Sequence, residues 1–440
     1  MEEKRYWNEE IETLSRESLE AYQLEQLKQH LDFAYSNAPY YREAFDDAGV
    51  KPSDLRHLED LTRFPFTNKK IERDRQVAYP DLGDMVAVPE REIVFVAASS
   101  GSTGVPTLSP FTRRDFEEFQ DVQARLFWAT GMRPTDRYVH ALNFTLFVGG
   151  PDVIGAQRLG ALCIWAGAIP SDRLLFILKE FKPTTTWTTP SYAWYLGETA
   201  RKQGIDPARD LAIRRIIVAG EPGGSIPATR RAIEELWDAE VYDFYGLSDI
   251  FGANAGMCEA KDGLHVAEDH TLVEVLDPES LEPVAEGEPG ELVLTTLRKR
   301  ARPMIRFRTG DIVKCVRERC SCGRTHARIY IHGRIDDMFI VSGVNVFPSD
   351  IEYVVRNIEG LTGEYRIVVY TEQHLTKFDV EVEKERSCSK PDGELAREVS
   401  ERVKVRSGVR PKNVKILEDG ALPRATHKAK RLVDLRKNAQ

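Results

Sequence analysis

The sequence predicts an α/β protein with a large N-terminal domain of layered α/β sheets, which includes a β subdomain, and a small α+β C-terminal domain. Between about residues 90 and 250, short apolar runs alternate with amphipathic stretches, a pattern typical of strands and helices in layers. From about 255 to 333 the pattern changes to short strands separated by turns. After that, strands and a helix mix again, so we expect domains at 1–333 and 334–440.

Size and charge exclude several classes of protein. The chain has 440 residues, of which 30% are charged, and a formal net charge of −9. This balance argues against a broad surface for nucleic acid. No apolar run approaches the ~20 residues that cross a bilayer. The acidic start MEEKRYWNEEIE is unlike a secretory signal. We therefore expect a cytoplasmic protein that binds neither nucleic acid nor membrane.

The elements follow in order from their periodicity. Leu24, Leu27, Leu31 and Ala34 repeat at spacings of three and four, which predicts a helix over 19–35. Further along, IVFVAA, ALCIWAGA and IRRIIVAGE are typical of buried strands, whereas DFEEFQDVQARLFWA and ATRRAIEELWD are typical of helices. Later strands are predicted at HTLVEVLD, GELVLTTL, EYRIVVYT and KFDVEVE, and a helix at REVSERVKVR. The sheet between 90 and 250 is expected to be largely parallel.

A loop rich in glycine and hydroxyl groups, SSGSTGVPT, follows the first of these strands. Glycines permit close backbone approach, and hydroxyl and N–H groups can bind phosphate oxygens. The candidate residues are Ser99, Ser100, Gly101, Ser102, Thr103 and Gly104. The alternative is an ordinary surface turn. The loop lacks the lysine of the Gly-Lys-Ser/Thr pattern, which argues against a kinase or Walker-type ATPase.

Two further motifs follow strand-like runs and are expected to share its cleft, because ligands bind at the carboxyl ends of strands. AGEPGG contributes Ala219, Gly220, Glu221 and Pro222, and DFYGLSD contributes Asp243, Tyr245, Gly246, Ser248 and Asp249. In these motifs Tyr245 suits stacking on a base, and Asp249 suits binding of Mg²⁺. In RFRTGDI, Asp311 can accept hydrogen bonds from ribose hydroxyls. Taken singly, each motif is more often structural.

Together, and in this order, the blocks resemble the adenylate-forming superfamily, and within it the phenylacetate-CoA ligases. The likeness extends over nearly the whole chain and includes YSNAPYYREAFDDAG, GRIDDMFIVSGVNVFPSDIE and LPRATHKAKRLVD. It implies a two-step reaction with ATP and Mg²⁺. A carboxylate attacks the α-phosphate to give acyl-AMP and pyrophosphate, and coenzyme A then displaces AMP.

The resemblance also assigns residues in the C-terminal part. It places the catalytic lysine at Lys428, an arginine that contacts the nucleotide at Arg334, and a hinge at Asp336. In relatives the small domain rotates between the two steps. Two positions depart from the family pattern, because Asp249 replaces a glutamate and His427 replaces a glycine. The first shortens the reach toward Mg²⁺, and the second alters the lysine loop.

Cysteines and a histidine suggest a structural zinc site. CEAKDGLHV and CSCGRTH supply Cys258, His265, Cys320 and Cys322, and three thiolates with one imidazole form a common closed site. Some phenylacetate-CoA ligase-like proteins carry cysteines in similar positions. Cys315 or His326 is an alternative ligand, and the competing interpretation is a set of reduced, partly buried cysteines without metal.

The acid itself is the least determined part of the prediction. HALNFTLFVGG resembles a segment that lines the acyl pocket in phenylacetate-CoA ligases, so Phe144 and Phe147, with Ala219 and Gly220, are candidates for an apolar slot. An aryl or arylacetic acid is expected. The alternatives are an adenylyltransferase acting on a larger coenzyme, as factor F390 synthetases do, and a non-catalytic nucleotide- or zinc-binding protein. A homodimer remains open.

Overall fold

The computed structural model describes residues 4–79, 82–99, 106–142, 149–341, 344–373, 375–424 and 431–438. The chain divides into two compact units. The first unit comprises Met1–Trp187, Tyr242–Thr309 and Val313–Tyr330, and the second comprises Thr188–Val241, Gly310–Ile312 and Ile331–Gln440. The second unit thus contains the predicted small domain together with an earlier segment of the chain, and the boundary at 333/334 stays a prediction.

The helices are α1 (Glu9–Glu12), α2 (Arg16–Asn37), α3 (Pro39–Asp47), α4 (Lys69–Ala78), α5 (Arg113–Ala129), α6 (Asp152–Leu159), α7 (Ser171–Phe181), α8 (Pro190–Lys202), α9 (Pro207–Asp210), α10 (Pro227–Trp237), α11 (Pro348–Arg356) and α12 (Asp392–Ser407). Short 3₁₀ turns occur at Pro52–Asp54, Leu58–Arg63, Glu90–Glu92 and Leu435–Asn438. The helix predicted over 19–35 is confirmed as α2. Its start is capped by Ser15, whose side chain accepts from Ser18 N, and Pro39 opens α3 directly after its end.

The strands are β1 (Thr67–Asn68), β2 (Ile93–Ala98), β3 (Leu108–Thr112), β4 (Arg137–His140), β5 (Leu162–Trp165), β6 (Thr185–Thr188), β7 (Arg215–Ala219), β8 (Glu240–Leu247), β9 (Gly252–Gly256), β10 (Leu264–Val266), β11 (Thr271–Leu276), β12 (Gly290–Thr296), β13 (Phe307–Val316), β14 (Arg328–Arg334), β15 (Phe339–Val341), β16 (Val344–Val346), β17 (Leu361–Glu372), β18 (Leu375–Lys384), β19 (Val414–Glu418) and β20 (Leu432–Asp434). Most predicted strands and helices occur where the periodicity placed them.

The first unit combines parallel and antiparallel pairing. Strand β4 pairs in parallel with β5 on one side and with β6 on the other. A second run of strands has the order β11-β12-β13-β14-β10-β9-β8, and its pairs β8–β9, β9–β10, β10–β14 and β11–β12 are antiparallel. This antiparallel part contains the predicted β subdomain and confirms the α/β class, while the predicted bounds of the subdomain at about 255–333 stay a prediction.

Two predicted buried strands are more exposed than expected. The run IVFVAA forms β2, which pairs with β3 in a two-stranded sheet of the described residues, and Val94 is 51% exposed because such a ribbon leaves one face open. The run ALCIWAGA forms β5, the outermost strand on its side of the sheet, where Leu162 and Trp165 are half exposed. By contrast, IRRIIVAGE forms β7 with Ile216 and Val218 fully buried.

The second unit contains a four-stranded sheet of order β19-β18-β17-β20. Strands β17 and β18 form an antiparallel hairpin, and β19 and β20 add to it in parallel on either side. Helices α11 and α12 cover the sheet through Ile351, Val355, Val399 and Val403, which pack in one core with Ile367. Each fully buried side chain of this kind contributes roughly 1.5–3 kcal/mol to folding.

Among the described residues, no helix combines the length and the apolar character needed to span a membrane.

Candidate active site

Ser99, the first residue of the predicted phosphate loop, is hydrogen-bonded to Thr107, which follows the loop. Ser99 Oγ lies 2.9 Å from Thr107 Oγ1, and Ser99 N donates to Thr107 O over 3.0 Å. Thr107 Oγ1 also donates to Asp249 Oδ1 at 3.5 Å, and Ser248 Oγ donates to Ala98 O over 3.3 Å. The structure therefore brings the two ends of the loop together with the YGLSD motif.

Asp249 lies in a cluster of charged side chains. Lys69 Nζ donates to Asp249 Oδ1 over 2.6 Å, and Arg302 Nη2 lies 3.6 Å from the same oxygen. Arg302 Nη1 pairs with Glu72 Oε1 at 2.5 Å. Lys299 Nζ donates to the backbone oxygen of Asp249 over 2.9 Å. These contacts favour a role for Asp249 in fixing the loop ends, and its assignment to Mg²⁺ stays a prediction.

The pKa values of the two carboxylates in this cluster shift in opposite directions. Burial raises the pKa of Glu72 to about 7, although Arg302 opposes the shift. Burial also acts on Asp249, but Lys69 and Arg302 outweigh it and hold the pKa of Asp249 below its usual range. Burial, reinforced by Arg302, lowers the pKa of Lys299 to about 7. Asp249 is therefore the ionised partner at neutral pH, and Glu72 is the group that can carry a proton.

Sequence reasoning missed the other members of the cluster. Lys69 and Glu72 belong to KKIERDR, and Lys299 and Arg302 belong to LRKRARP, and charge runs of this kind are usually solvated. In the structure Glu72 and Arg302 are 1% exposed and Lys299 is completely buried. No local pattern distinguishes these residues, because their partners are distant in sequence.

The backbone of the YGLSD motif requires glycine at one position, Gly246. The register of β8 against β9 shifts between Tyr245 and Gly246, and a Cβ at Gly246 would lie 1.7 Å from Gly252 O. Only glycine fits at that position. Asp243 is buried earlier in β8, and Tyr245 is half buried. Asp249 follows two residues after the end of β8. The nucleotide-binding roles of the motif stay predictions.

The AGEPGG motif lies in the second unit at the end of β7. Ala219 is the last residue of that strand, and Gly220 has a φ of +88°, in the left-handed region that favours glycine. Glu221 Oε1 accepts a hydrogen bond from Ser191 N over 2.8 Å, in the first turn of α8. Pro222 is exposed. Glu221 thus stabilises the start of a helix, and the nucleotide and acyl roles of the motif are untested.

Three other predicted residues meet within the second unit. Arg334 Nη1 donates to Asp311 Oδ1 over 2.7 Å, and Arg334 Nη2 donates to Asp336 Oδ2 over 3.1 Å. The side chain of Asp311 is 5% exposed, whereas that of Asp336 is 76% exposed. The predicted nucleotide-contacting arginine therefore connects the predicted ribose ligand with the predicted hinge residue.

The four predicted zinc ligands converge in the first unit. The ligand atoms of Cys258, His265, Cys320 and Cys322 all lie within 4.8 Å of one another. The Cys258 and Cys320 sulfurs are 3.9 Å apart, and Cys322 Sγ is 3.5 Å from His265 Nε2. Tetrahedral zinc with its usual bond lengths separates two sulfurs by about 3.8 Å and a sulfur from a nitrogen by about 3.6 Å. The donor set and its spacing fit structural zinc.

The surroundings of the cluster orient its histidine. His265 Nδ1 lies 3.1 Å from His326 O, which directs Nε2 toward the cysteines, as in zinc sites whose ligands are held by a second hydrogen bond. The alternative ligand His326 has its ring nitrogens 3.0 Å from Val266 O and 3.1 Å from Ile11 O. Among the residues that the structure describes, neither His326 nor Cys315 belongs to the four-residue group.

Several predicted site residues lie outside the described residues. They are Ser100, Gly101, Ser102, Thr103 and Gly104 of the loop, Phe144 and Phe147 of the acyl pocket, and Lys428. Their roles stay predictions.

Similarity to known proteins extends over nearly the whole chain. The model of the AMP-binding enzyme family matches residues 22–296, and that of the AMP-binding enzyme C-terminal domain matches residues 343–436. A phenylacetate-coenzyme A ligase of Thermus thermophilus is 38% identical, over 97% of this chain and 99% of its own length. That of Escherichia coli is 37% identical over 97% of both chains. A crystal structure of 2-hydroxyisobutyryl-CoA ligase with R3-HIB-AMP, in the postadenylation state, has a TM-score of 0.93 at 34% identity and covers 99% of this chain and 94% of its own.

Proposed function

The chain belongs to the AMP-binding enzyme family, in the phenylacetate-CoA ligase-like branch of the adenylate-forming enzymes, and we propose that it activates a carboxylic acid in two steps. In the first step a carboxylate oxygen attacks the α-phosphorus of ATP, and pyrophosphate leaves. In the second step the thiol of coenzyme A attacks the acyl carbon, and AMP leaves. The protein is an AMP-forming acid–CoA ligase.

The observation that carries this proposal is similarity over the full length to ligases of one activity. Several phenylacetate-coenzyme A ligases are each about 38% identical to the chain over 97% of its length. The structural relative with TM-score 0.93 holds an acyl-adenylate of the kind that the first step produces. These findings support an acid–CoA ligase over a non-catalytic binding protein.

The first step joins two anions, so cations must neutralise the developing charge. In the proposed site the loop from Ser99 to Gly104 binds the phosphates, and the ammonium of Lys428 bridges the carboxylate and the α-phosphate. Mg²⁺ brought in with ATP supplies further neutralisation. The hydrogen bonds among Ser99, Thr107 and Asp249 hold the described residues on either side of this loop next to the YGLSD motif.

For the acid, we favour an aryl or arylacetic compound. The named activity of the curated relatives supports this choice, and Phe144 and Phe147 are the proposed lining of the acyl slot. The 2-hydroxyisobutyryl-CoA ligase shows that a fold this similar also serves a branched hydroxy acid, so the panel of acids to be tested includes aliphatic hydroxy acids.

We also propose that Cys258, His265, Cys320 and Cys322 bind one structural zinc ion. Four protein ligands fill a tetrahedral ion, which leaves no open position for substrate. Zinc at this point would therefore cross-link the loops of the antiparallel part and would take no part in either chemical step.

Pyrophosphate release tests the function directly. Purified protein is incubated with Mg·ATP and a panel of carboxylic acids, each with and without coenzyme A. We expect release that depends on an aromatic acid, with AMP as the nucleotide product and acyl-CoA formed when CoA is present. Lys428→Ala should lower acid-dependent release by at least 100-fold.

The other outcomes identify the alternatives. Release that is indifferent to coenzyme A at every acid would favour an adenylyltransferase of the factor F390 synthetase kind. Binding of ATP without release, across the whole panel, would favour a non-catalytic relative. Formation of ADP in place of AMP would contradict the proposal altogether.

A further inference from the structure

Within the charged cluster around Asp249, Lys69 differs from the other members in its exposure. Its side chain is 34% exposed. The remaining members are almost completely buried: Glu72, Asp249, Lys299 and Arg302. The ammonium of Lys69 is therefore the cation of this described cluster that an entering ligand can reach.

The buried members already supply cations to the two carboxylates. Arg302 Nη1 pairs with Glu72 Oε1 at 2.5 Å, and Arg302 Nη2 lies 3.6 Å from Asp249 Oδ1. Lys299 Nζ donates to the backbone oxygen of Asp249 over 2.9 Å. Lys69 Nζ adds a further cation, 2.6 Å from Asp249 Oδ1 and 3.4 Å from Glu72 Oε2. In these contacts three basic side chains face two acidic ones, which leaves positive charge for an anion.

The position of Lys69 in α4 also argues against a purely structural role. Lys69 is the first residue of that helix and follows the N-cap residue Asn68, whose side chain accepts from Ile71 N. A cation in the first turn faces the positive end of the helix dipole and loses stability there. An apolar or acidic residue would suit this position better, so the ammonium indicates a use for its charge.

Lys69 lies beside the residues that flank the predicted phosphate loop. Thr107, which follows the loop, donates from Oγ1 to Asp249 Oδ1 at 3.5 Å, and the same oxygen accepts from Lys69 Nζ. Thr107 Oγ1 is also 2.9 Å from Ser99 Oγ. The loop has no lysine of its own. Lys69 therefore brings a cation to the described flanks of a loop that lacks one.

Helix α4 is fastened to the residues around Thr107 by one glutamine. Gln76 Nε2 donates to Pro106 O over 3.0 Å, and Gln76 Oε1 accepts from Leu108 N over 2.7 Å. Pro106 and Leu108 stand on either side of Thr107 in the chain. Because these bonds hold the helix against this stretch, the position of Lys69 relative to Thr107 is set before any ligand binds.

We propose that Lys69 is a further ATP-binding residue, whose ammonium binds oxygens of the β- and γ-phosphates. In nucleotide-binding enzymes the metal bridges these two phosphates, and Asp249 is the residue predicted to face it. A cation on the same carboxylate therefore belongs at that end of the nucleotide. The inference rests on the proposed function, in which these phosphates leave as pyrophosphate, and Lys69 would stabilise the charge of that leaving group.

Equilibrium binding tests the proposal, with Lys69→Met and Lys69→Arg in the full chain. Lys70→Met is the matched control, because Lys70 is the next residue of α4 and pairs with Asp74 on the surface at 2.5 Å. Titration calorimetry measures the affinity of each protein for Mg·ATP and for AMP, both without an acid. Acid-dependent pyrophosphate release and the thermal midpoint are recorded beside them.

We expect Lys69→Met to raise the Kd for Mg·ATP at least tenfold and to leave the Kd for AMP within twofold, because AMP lacks the two phosphates that the ammonium binds. Lys69→Arg should restore the Kd for Mg·ATP to within fivefold of wild type, and Lys70→Met should match wild type for both nucleotides.

Unchanged binding of Mg·ATP by Lys69→Met would overturn the proposal. Equal weakening of both nucleotides would overturn it too, since that is the result of a purely structural role for Lys69 at Asp249. Selective loss of Mg·ATP in a protein whose wild type releases no pyrophosphate with any acid would uphold the role of Lys69 and refute the proposed function instead. A wild type that binds neither nucleotide would refute both.

Discussion

Asp152 is a buried carboxylate that works against the stability of the first unit. It occupies the first position of α6, is 1% exposed, and has no hydrogen-bond partner for either oxygen among the described residues. A negative charge at a helix start is worth about 0.3–1 kcal/mol. An unsatisfied buried polar group costs about 1–3 kcal/mol. The cost exceeds the gain, and burial raises the pKa of Asp152 well above its usual value.

We therefore predict that Asp152→Asn stabilises the protein at pH 8 and has much less effect at pH 5. Because its pKa is higher in the folded chain, Asp152 binds its proton more tightly there than in the unfolded chain. The stability that depends on this proton is complete below the unfolded pKa of about 3.9 and is lost as pH rises toward the folded pKa. Asparagine cannot ionise, so the variant keeps its stability over the same range.

The measurement is the thermal midpoint of both proteins from pH 5 to pH 8. The expected gain is a few degrees at pH 8, equivalent to about 1–3 kcal/mol. Asp172→Asn, at an exposed acid in the first turn of α7, controls for the loss of a charge near a helix start. A midpoint difference that does not grow with pH would refute the argument.

At the scale of elements, hydrogen bonds connect the segment that carries Cys320 and Cys322 to the start of the chain. Arg5 Nη2 and Tyr6 Oη donate to Cys322 O over 3.0 and 3.1 Å. Arg324 Nε, two residues beyond, donates to Glu12 Oε2 over 2.6 Å. Any ion that fixes the turn of Cys320 and Cys322 therefore also fixes the surface on which residues 5–12 pack.

We predict one zinc ion per chain by elemental analysis, and its loss in Cys320→Ser. The variant should unfold several degrees lower, because metal binding stabilises only the folded site. Trypsin should also cleave it faster after Arg5 and Arg16. Cys388→Ser, which lies in the second unit and outside the cluster, should keep both its zinc and its midpoint. A metal-free wild type with an unchanged midpoint would contradict the prediction.

The two clusters differ in how far the amino-acid sequence predicts them. Cys258 and His265 stand seven positions apart and Cys320 and Cys322 two apart, so residue type and spacing are enough to indicate the Cys–His site. Of the cluster around Asp249, only the aspartate itself could be predicted from the sequence. Its other members come from α4 and from the turn after β12. The sequence around a charged residue does not show which distant residue it will pair with, because the fold brings the two together. The exposure of β2 and β5 was missed for a similar reason, since edge position is a property of the whole sheet.

At the scale of the whole molecule, the C-terminal residues have a core of their own. Phe339, Ile351, Ile367, Phe378 and Val399 pack in one cluster whose buried members all lie between residues 339 and 403. They come from both sheets and both helices of this part of the chain, and partly buried residues of β19 and β20 pack against them. About 100 residues with a single closed core are enough for a domain. The compact second unit, however, also includes residues 188–241.

These observations lead to a prediction about the domain boundary. We expect residues 334–440, expressed alone, to fold, because the buried members of their core cluster all lie within the fragment. Circular dichroism should show mixed α/β structure and one cooperative urea transition. The fragment 188–440 serves as the comparison, since it adds Thr188–Val241 of the second unit, together with residues 242–309 and 313–330 of the first unit. If only the longer fragment shows a cooperative transition, contacts such as that between Arg431 and Ser191, at 3.5 Å, are part of the domain and the boundary at 333/334 is wrong. If both do, with similar midpoints, the C-terminal domain is an independent folding unit, as the sequence predicts.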